Sequence, residues 1–513
     1  MADRQCPETE GRADKGTRAN RQDWLFAVGV TVAFIAAGVF LVSRHEMWRD
    51  ELNPWMIARY SSTIPELLHN MRYEGHPVLW YIVLWLTTRV SITPEAAQYV
   101  HLALAAASVW LFVRYAPLPR MWRLLYAFGF YPFYQYAIVA RGYALCTLGL
   151  FAFCALFRAR RTRLLPLAVI LLLLANADVY GWFYAVALTV TLGAVWIEDR
   201  RSGNAWKIST SKSILSAALV AFGILISPLL TIPPKDCSQF APWHVGFDPD
   251  RISVLIRGMS FSYNIGPEWI YPILNVPIFV VLTLAFLRKR PVAVMWLSLC
   301  ASLAVFYYVK FDPIYWHKGM VLVYLMAAFW VSTEFRERPL SSAWLDGLSR
   351  WSGRRSGTLM LLVLLFFIVY GAKWVIDDIR RPYSAAKYAA EYIRSHSLAD
   401  RVIVGDWDYS ASSVSAYLDR PLYYPAAKNK LGRYLIWNRD RHWPTTRDEL
   451  CASVAALAPK ARSEMVLLLT YELRGRDCGG YPARLVKRFS GSVKADEDFW
   501  IYLVDTRRGP QAP

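Results

Sequence analysis

Residues 48–54 read Trp-Arg-Asp-Glu-Leu-Asn-Pro and follow closely on the first long apolar stretch of the chain, Trp24 to Val42. Charged side chains at the end of a membrane helix are costly to hold near hydrocarbon. A chain that keeps an adjacent pair such as Asp50 and Glu51 there usually needs it for proton transfer, metal binding or substrate contact. The plainer alternative is that both acids cap the first helix outside the membrane, beside the positive end of its dipole.

A second polar patch stands at residues 74–77, Glu-Gly-His-Pro, and runs directly into the apolar sequence VLWYIVLWL. A polar entry to an aromatic-rich apolar run is typical of a segment at a membrane surface. Glu74 and His76 are therefore further candidates for contact with a substrate. The alternative is that His76 only begins a helix, with Pro77 behind it.

The composition is that of a polytopic membrane protein with a soluble part. Of the 513 residues, 55% are hydrophobic and 19% are charged, and the mean hydropathy is +0.24. The net charge of +19 does not predict nucleic acid as a partner, because much of the excess sits in short loops between apolar runs. The sequence has no zinc-ligand spacing and no phosphate-binding glycine loop, so it predicts no particular cofactor and leaves a divalent metal open.

The charged loops decide how often the chain crosses the membrane. If residues 77–90 crossed it, the arginine-rich loops would all lie outside, against the positive-inside bias. We therefore predict a helix lying partly in the membrane at 77–90, an external loop over 43–97, and a transmembrane catalytic domain over 24–371. The eleven predicted crossings lie near 24–42, 98–113, 124–140, 143–157, 164–177, 181–197, 214–230, 271–287, 291–309, 319–333 and 358–371.

The two ends of the chain differ from this domain. Residues 1–23 are polar and carry both charge signs, which predicts a disordered cytoplasmic tail; the apolar stretch behind them predicts an uncleaved anchor. Residues 372–513 alternate amphipathic helix patterns with short β-branched runs, which predicts an external α/β domain. This domain contains Cys451 and Cys478, which either form a disulfide or remain two thiols.

On this topology, polar residues collect at the outer face of the membrane. A carboxylate there can take a proton from an incoming hydroxyl group, while cations stabilise a departing phosphate. Plainer explanations also exist, since Arg141 could reach for lipid headgroups, and His317 and Lys318 could be ordinary interfacial residues. The candidates at the ends of the predicted spans are Asp50, Glu51, Tyr136, Arg141, Asp178, His317 and Lys318.

Two stretches resemble a known family in their order and spacing. The acidic pair followed by EGHPVLWYIVLW (74–85), and the stretch YPFYQYAIVARGYAL (131–145), are similar to the GT-C membrane glycosyltransferases. The closest resemblance is to glycosyltransferase family 39, the protein mannosyltransferase and aminoarabinose transferase group, over residues 24–330. It implies a GT-C fold and sugar transfer from a polyprenyl-phosphate donor. Asp50 matches the family's catalytic Asp in the first loop, and the end of the second stretch, with Tyr136 and Arg141, matches a part of the family that faces the active-site cavity.

The chain departs from the aminoarabinose transferases in two places. They carry Lys-Pro-Pro where this chain has Gly75-His76-Pro77, and an acidic residue shortly after the arginine where this chain reads Arg141-Gly-Tyr-Ala. The resemblance therefore implies neither the lysine contact to the donor phosphate nor a metal site.

The resulting prediction is an inverting lipid-phosphosugar glycosyltransferase, hexosyl or pentosyl, in the lipid of the bacterial inner membrane, with a cytoplasmic N-terminus and a periplasmic C-terminal domain. Asp50 is the expected general base and Glu51 the second choice. The C-terminal domain is expected to position a glycan, lipid or protein acceptor. The cations expected to hold the polyprenyl phosphate are Arg141, His317 and Lys318.

Two alternatives come from other classes of protein. A transporter or flippase of lipid-linked glycans would carry out no chemistry, but it should show internal repeats and polar residues near the middle of the membrane. The sequence shows no repeat, and its polar residues collect at one face. A membrane protein that only displays the external domain is the third candidate, although eleven spans are many for an anchor.

Overall fold

The computed structural model describes residues 8–238, 242–260, 270–442, 444–475 and 477–507, with side chains from residue 21 onward except at 270–272. Up to residue 380 its regular structure is helical, because a backbone in lipid must satisfy its N–H and C=O groups within each segment. A π-helical segment, Phe130–Ile138, lies between α6 and α7. The helices are α1 (Glu8–Val42), α2 (Arg49–Arg59), α3 (Ile64–Asn70), α4 (Leu79–Thr88), α5 (Glu95–Tyr115), α6 (Arg120–Ala127), α7 (Tyr143–Phe157), α8 (Leu164–Ala175), α9 (Val179–Arg201), α10 (Thr210–Thr231), α11 (Pro249–Gly258), α12 (Ile270–Phe286), α13 (Arg290–Val309), α14 (Tyr315–Ser332) and α15 (Ala343–Arg380).

Six of the helices in the described ranges are long and apolar enough to cross a membrane, namely α1, α5, α9, α10, α13 and α15. Shorter apolar helices accompany them at Leu79–Thr88, Tyr143–Phe157, Leu164–Ala175 and Ile273–Phe286. The chain is therefore a helical integral membrane protein, as predicted. The finer number of eleven crossings stays a prediction.

Two boundaries differ from the sequence prediction at the ends of the helical part. Helix α1 begins at Glu8, so residues 8–23 are helical and not a disordered tail; residues 1–7 lie outside the described ranges. This segment contains two Ala, three Arg and two Glu, which favour a helix, although its Gly11 and Gly16 do not. Helix α15 continues past the predicted boundary at 372 and ends at Arg380.

The span predicted over 124–140 is not one continuous helix. Helix α6 ends at Ala127, and the π-helical segment starts only at Phe130. Gly129 between them has an extended backbone conformation, and Pro132 cannot donate an N–H to a preceding turn. Hydropathy does not reveal the effect of Gly129 and Pro132 on the backbone, which explains why a single helix was predicted over 124–140.

Helices α2 to α4 cover one end of the helix bundle. Helix α4 has 10 residues and is about 15 Å long, whereas crossing the hydrocarbon takes about 20 residues. Its first turn is tied to the end of α8, because the Leu79 N–H donates to the Asn176 carbonyl oxygen at 2.9 Å. The segment predicted to lie at the membrane surface is thus too short to span it.

The C-terminal part is an α/β domain built on a seven-stranded sheet of order β3-β2-β1-β4-β7-β6-β5. Strand β1 pairs in parallel with β2 and β4, and the other pairings are antiparallel. A disulfide joins Cys451 to Cys478, with the Cα atoms 4.8 Å apart. The elements are α16 (Ala386–Ser395), β1 (Ile403–Gly405), α17 (Asp408–Leu418), β2 (Leu422–Tyr424), β3 (Lys430–Gly432), α18 (Arg447–Leu457), β4 (Glu464–Leu469), β5 (Asp477–Cys478), β6 (Tyr481–Phe489) and β7 (Phe499–Asp505).

This domain lies directly on α2 and the segment that leads into it. The Glu46 carboxylate accepts hydrogen bonds from the Tyr383 N–H at 3.0 Å and from the Tyr388 hydroxyl at 2.7 Å. The Met47 N–H donates to the Tyr417 hydroxyl at 2.9 Å. The domain is thereby held over the end of the bundle at which the acidic pair stands.

Candidate active site

A cavity of about 200 Å³ lies where α2, the start of α4 and the C-terminal domain meet, and we call it the Asp50 cavity. Its floor and sides come from the helical part: Arg49, Asp50, Asn53, Pro54, Glu74, His76, Pro77, Trp80, Tyr81, Arg141, Gly142, Ala177 and Asp178. Its remaining wall comes from the C-terminal domain: Tyr409, Ser412, Leu435 and Trp437.

The two neighbouring acids of α2 have different surroundings. Glu51 is buried and does not line the cavity. Its Oε1 accepts the Ala140 N–H at 2.6 Å, and its Oε2 lies 3.1 Å from His45 Nε2. The other nitrogen of the same ring, Nδ1, lies 2.8 Å from Asp378 Oδ2. Glu51 is thus bound within the protein, and the side chain that reaches the cavity is that of Asp50.

The charge on His45 follows from these two carboxylates. Burial alone would lower the pKa of His45, but Asp378 and Glu51 outweigh burial and raise the pKa to about 10. An imidazolium held between two carboxylates links the end of α1 to α2 and to the last turn of α15. This ion-pair chain fixes the position of α2, and with it the position of Asp50.

Asp50 contacts the one arginine that the sequence had singled out. Its Oδ2 lies 3.2 Å from Arg141 Nη1, and the side chains are 30% and 13% exposed. The geometry gives a close charge contact but no well-aligned hydrogen bond, so this buried Nη1 has no hydrogen-bond partner. The guanidinium carbon also lies 5.3 Å from the ring centroids of Tyr143 and Trp316. Arg141 can therefore still donate a hydrogen bond to an anion.

Gly142 allows Arg141 to take this position. A Cβ at Gly142 would lie 2.9 Å from the Ala177 carbonyl oxygen, so the segment after Arg141 packs against the loop before α9 only with glycine there. The next residue of that loop, Asp178, caps α9 by accepting the Tyr180 N–H at 3.1 Å. The cap and the close approach bring Asp178 to the cavity wall beside Arg141.

Glu74 faces the same cavity from the segment before α4. The Asn53 amide nitrogen donates to both of its oxygens, at 3.1 and 3.0 Å, and the Tyr81 hydroxyl lies 3.3 Å away. Burial raises the pKa of Glu74 to about 7, although these hydrogen bonds act in the opposite direction. Near neutral pH this carboxyl group is therefore partly protonated.

His76 and Asp178 complete the polar part of the wall. Burial lowers the pKa of His76, and burial raises the pKa of Asp178. Both shifts favour the uncharged form of the side chain. The buried Nδ1 of His76 has no hydrogen-bond partner and so remains available to a ligand.

The remaining sequence candidates lie behind the cavity and not in its wall. The Tyr136 hydroxyl donates to the Trp316 carbonyl oxygen at 2.6 Å. His317, in the first turn of α14, stacks on Tyr180 with ring centroids 5.6 Å apart. Lys318 follows it and is buried. The structure therefore brings Asp50, Glu74, His76, Arg141 and Asp178 together, and it leaves Glu51, Tyr136, His317 and Lys318 outside the lining.

Sequence reasoning missed His45, Asn53, Asp378 and the whole C-terminal wall. His45 and Asn53 flank the acidic pair, so their position could have drawn attention to them. Asp378 is 333 residues away from its partner His45, and no local pattern marks it. In the described ranges, no group of three or more His, Cys, Asp or Glu side chains is placed to hold a metal ion.

A larger groove of about 910 Å³ runs along α8, α9 and α10. Its wall is mostly apolar and reaches Arg200 and Asn204, at the end of α9 opposite Asp178. Because α9 has 23 residues and a helix rises 1.5 Å per residue, these ends lie about 35 Å apart. The groove is therefore separate from the Asp50 cavity.

Two crystal structures of ArnT from Cupriavidus metallidurans are similar to this chain in overall arrangement. The one bound to undecaprenyl phosphate covers 94% of this chain and 99% of that chain, with 12% identity and a TM-score of 0.43. The apo structure covers 95% and 99%, with 12% identity and a TM-score of 0.44. ArnT is an aminoarabinose transferase of the GT-C class, the group that the sequence motifs resemble.

No protein-family model and no curated protein matches the chain.

We expect Glu51→Gln to reduce stability and transfer activity together. The change removes one charge of a buried ion-pair chain, and breaking a buried pair costs roughly 3–5 kcal/mol. Thermal unfolding of the purified protein and a sugar-transfer assay measure the two effects. Glu66→Gln on the exposed surface of α3 is the control. A Glu51→Gln protein with wild-type stability and no activity would instead place this carboxylate in the chemistry.

Glu74→Gln should change the dependence of stability on pH. The pKa of Glu74 is raised from 4.5 to about 7 in the folded protein. Within that window the folded state keeps a proton that the unfolded state has released, so wild-type stability should fall as the pH rises. Glutamine has no proton to lose. Unfolding temperatures across and above the window should fall less in the variant, and identical profiles would contradict the assignment.

Proposed function

We propose that this chain transfers a sugar from a polyprenyl-phosphate donor to a hydroxyl group of an acceptor, in one displacement that inverts the anomeric carbon. The observation that carries the proposal is the contact between Asp50 and Arg141, at 3.2 Å, within the Asp50 cavity. The reaction needs a base and a cation side by side, because the acceptor loses a proton while the leaving phosphate gains negative charge.

The proposed step involves two bonds at one carbon. The acceptor oxygen forms a bond to the anomeric carbon while Asp50 takes the hydroxyl proton. The bond from that carbon to the phosphate oxygen breaks, and its electron pair leaves with the polyprenyl phosphate. Arg141 Nη1, which is buried and has no aligned partner, donates to a phosphate oxygen as a charge-assisted hydrogen bond. The proton then passes from Asp50 to water.

Arg141 is a better candidate for the phosphate contact than the other cations near the cavity. Arg49 also lines the cavity, but Asp496 lies 2.7 Å from it and Glu497 lies 3.4 Å from it. His317 and Lys318 lie in the first turn of α14, whose Trp316 ring contacts Arg141. We propose that they shape the wall behind Arg141 and do not touch the phosphate.

We further propose that the Asp50 cavity opens on the outer face of a bacterial inner membrane, with the C-terminal domain in the periplasm. The arginine-rich ends of the helices lie at the other end of the bundle, for example Arg158 after α7 and Arg200 in the last turn of α9. Such ends face the cytoplasm by the positive-inside bias. The disulfide between Cys451 and Cys478 suits an oxidising compartment.

The placement of the polar residues favours a transferase over a flippase of lipid-linked glycans. A transporter is expected to have its polar site near the middle of the membrane. Here the cavity residues lie at helix ends: Arg141 just before α7, and Asp178 just before α9. A donor already present at the membrane surface would reach them there.

Asp50→Asn should lower the transfer rate about 10²–10⁴-fold, which is the usual loss when a general base is removed. The change keeps the volume of the side chain, so the unfolding temperature should stay close to that of the wild type. A reconstituted assay with a polyprenyl-phosphate sugar measures the rate, and the exposed Asp400→Asn is the control. Transfer within a few-fold of wild type would rule Asp50 out as the base.

Arg141→Lys should weaken undecaprenyl-phosphate binding roughly ten- to a hundred-fold while Asp50→Asn leaves it nearly unchanged.

Thiol labelling of intact cells tests the orientation. A membrane-impermeant reagent should reach His69→Cys and Asp400→Cys but not Arg200→Cys or Arg354→Cys, all of which replace exposed residues. Permeabilised cells should label all four, and the chain without added thiols sets the background. Labelling of the arginine sites alone in intact cells would reverse the proposed orientation.

A further inference from the structure

We propose that the C-terminal wall of the Asp50 cavity is a subsite for an uncharged saccharide ring of the acceptor. The inference rests on the proposed function and names the class of acceptor. This wall consists of Tyr409, Ser412, Leu435 and Trp437. An aromatic ring offers a flat apolar face with partial negative charge, which suits the C–H face of a sugar ring. The hydroxyl groups at the edge of a sugar then meet polar side chains.

The segment that carries Trp437 is held by hydrogen bonds before any ligand binds, although it lies outside every helix and strand of the described domain. On one side the Leu435 N–H donates to Asn53 Oδ1 at 2.8 Å. On the other side the Trp437 carbonyl oxygen accepts the Ser238 N–H at 2.8 Å, and the Arg439 N–H donates to the Asp236 carbonyl oxygen at 2.8 Å. A wall held from both sides loses little conformational freedom when a ligand binds.

An arginine backs each of the two aromatic rings. The guanidinium carbon of Arg441 lies 4.8 Å from the centroid of Trp437, and that of Arg49 lies 4.8 Å from the centroid of Tyr409. A guanidinium over one face fixes the ring by a cation–π contact. The Tyr409 ring also stacks on Trp407, with ring centroids 5.8 Å apart. A ligand that stacks on the wall must therefore use the face of Trp437 that Arg441 leaves open.

Both backing arginines are neutralised by carboxylates of the same domain. Arg441 Nε and Nη2 donate to the two oxygens of Asp408, at 2.5 and 2.6 Å, and both side chains are buried. Arg49 pairs with Asp496 and Glu497. Their charges are thus compensated within the protein, so this wall presents no uncompensated guanidinium to an acceptor phosphate. An uncharged ring fits it better than an anionic group.

The wall is also less suited to a peptide acceptor. Peptides commonly bind by adding a strand to exposed backbone N–H and C=O groups. In this segment the N–H groups of Leu435 and Arg439 and the carbonyl oxygen of Trp437 are already bonded. The wall can therefore recognise an acceptor only through its side chains, and two of its four residues are aromatic.

The wall is attached to the helix that carries the proposed base. Arg49, which backs Tyr409, directly precedes Asp50, and Asn53, which holds Leu435, follows it by about one turn of α2. A sugar ring on Tyr409 or Trp437 would therefore lie in the same small cavity as Asp50. This arrangement presents a ring hydroxyl to the base from the side of the C-terminal domain, opposite the membrane from which a lipid donor comes.

Saturation-transfer NMR of methyl glycosides on the full chain in detergent tests the subsite without needing turnover. We expect ring C–H signals from the wild type, their loss in Trp437→Leu and Tyr409→Leu, and their retention in Trp437→Phe and Tyr409→Phe. With a bound methyl glycoside as acceptor, each Leu variant should raise the acceptor KM about ten-fold with little change in kcat. Trp500→Leu, in β7 and outside the cavity, is the matched control.

Undecaprenyl-phosphate binding distinguishes failure of the proposed acceptor subsite from failure of the proposed function. It should be unchanged in both Leu variants, and a parallel loss would assign the wall to the donor and overturn the inference. Three other results would also overturn the inference. The wild type could give no methyl-glycoside signals, or the signals could survive both Leu substitutions. Ser/Thr peptides could also bind in a Trp437-dependent way instead of methyl glycosides. If undecaprenyl phosphate failed to bind and the wild type transferred no sugar from a polyprenyl-phosphate donor, the proposed function would fail, while Trp437-dependent glycoside binding would still stand.

Discussion

The buried carboxylate of Glu51 connects segments that lie far apart in the sequence. It accepts the Ala140 N–H and pairs with His45, which pairs in turn with Asp378. These groups belong to the segment before α7, the end of α1 and the last turn of α15. An uncompensated charge in this place would cost several kcal/mol, so each partner fixes the others. The adjacent Asp50 takes no part in this chain of contacts and lines the cavity instead.

The C-terminal domain forms one wall of the cavity, and it also supplies carboxylates that pair with Arg49. Glu497 is buried, and it accepts the Arg49 N–H at 3.0 Å and the Ser384 hydroxyl at 2.5 Å. Burial raises the pKa of Glu497 to about 7, with Arg49 opposing that rise. Arg49 lies closer to Asp496 and Glu497, at 2.7 and 3.4 Å, than to Asp50, at 3.9 Å. Arg141 makes the closer contact with Asp50, at 3.2 Å.

The sequence was informative wherever polar residues interrupt apolar runs. The acidic pair, Glu74, Arg141 and Asp178 all stood out in this way, as did the alternating helices and strands of the C-terminal domain. Sequence could not tell which acid of the pair turns inward, because that depends on His45 meeting Asp378 from the far end of α15. It also could not place the C-terminal wall on the cavity, since contacts between distant segments leave no local pattern.

A site that binds a phosphate must not carry too much negative charge, yet three carboxyl groups line this one: Asp50, Glu74 and Asp178. Burial raises the pKa of Glu74 to about 7 and also raises the pKa of Asp178. Both groups therefore hold their protons more readily than exposed acids, which limits repulsion of an incoming phosphate. Asp50 differs because it is partly exposed and a guanidinium contacts it. Burial thus sets Glu74 and Asp178 apart from Asp50, the acid of the cavity that is in contact with Arg141.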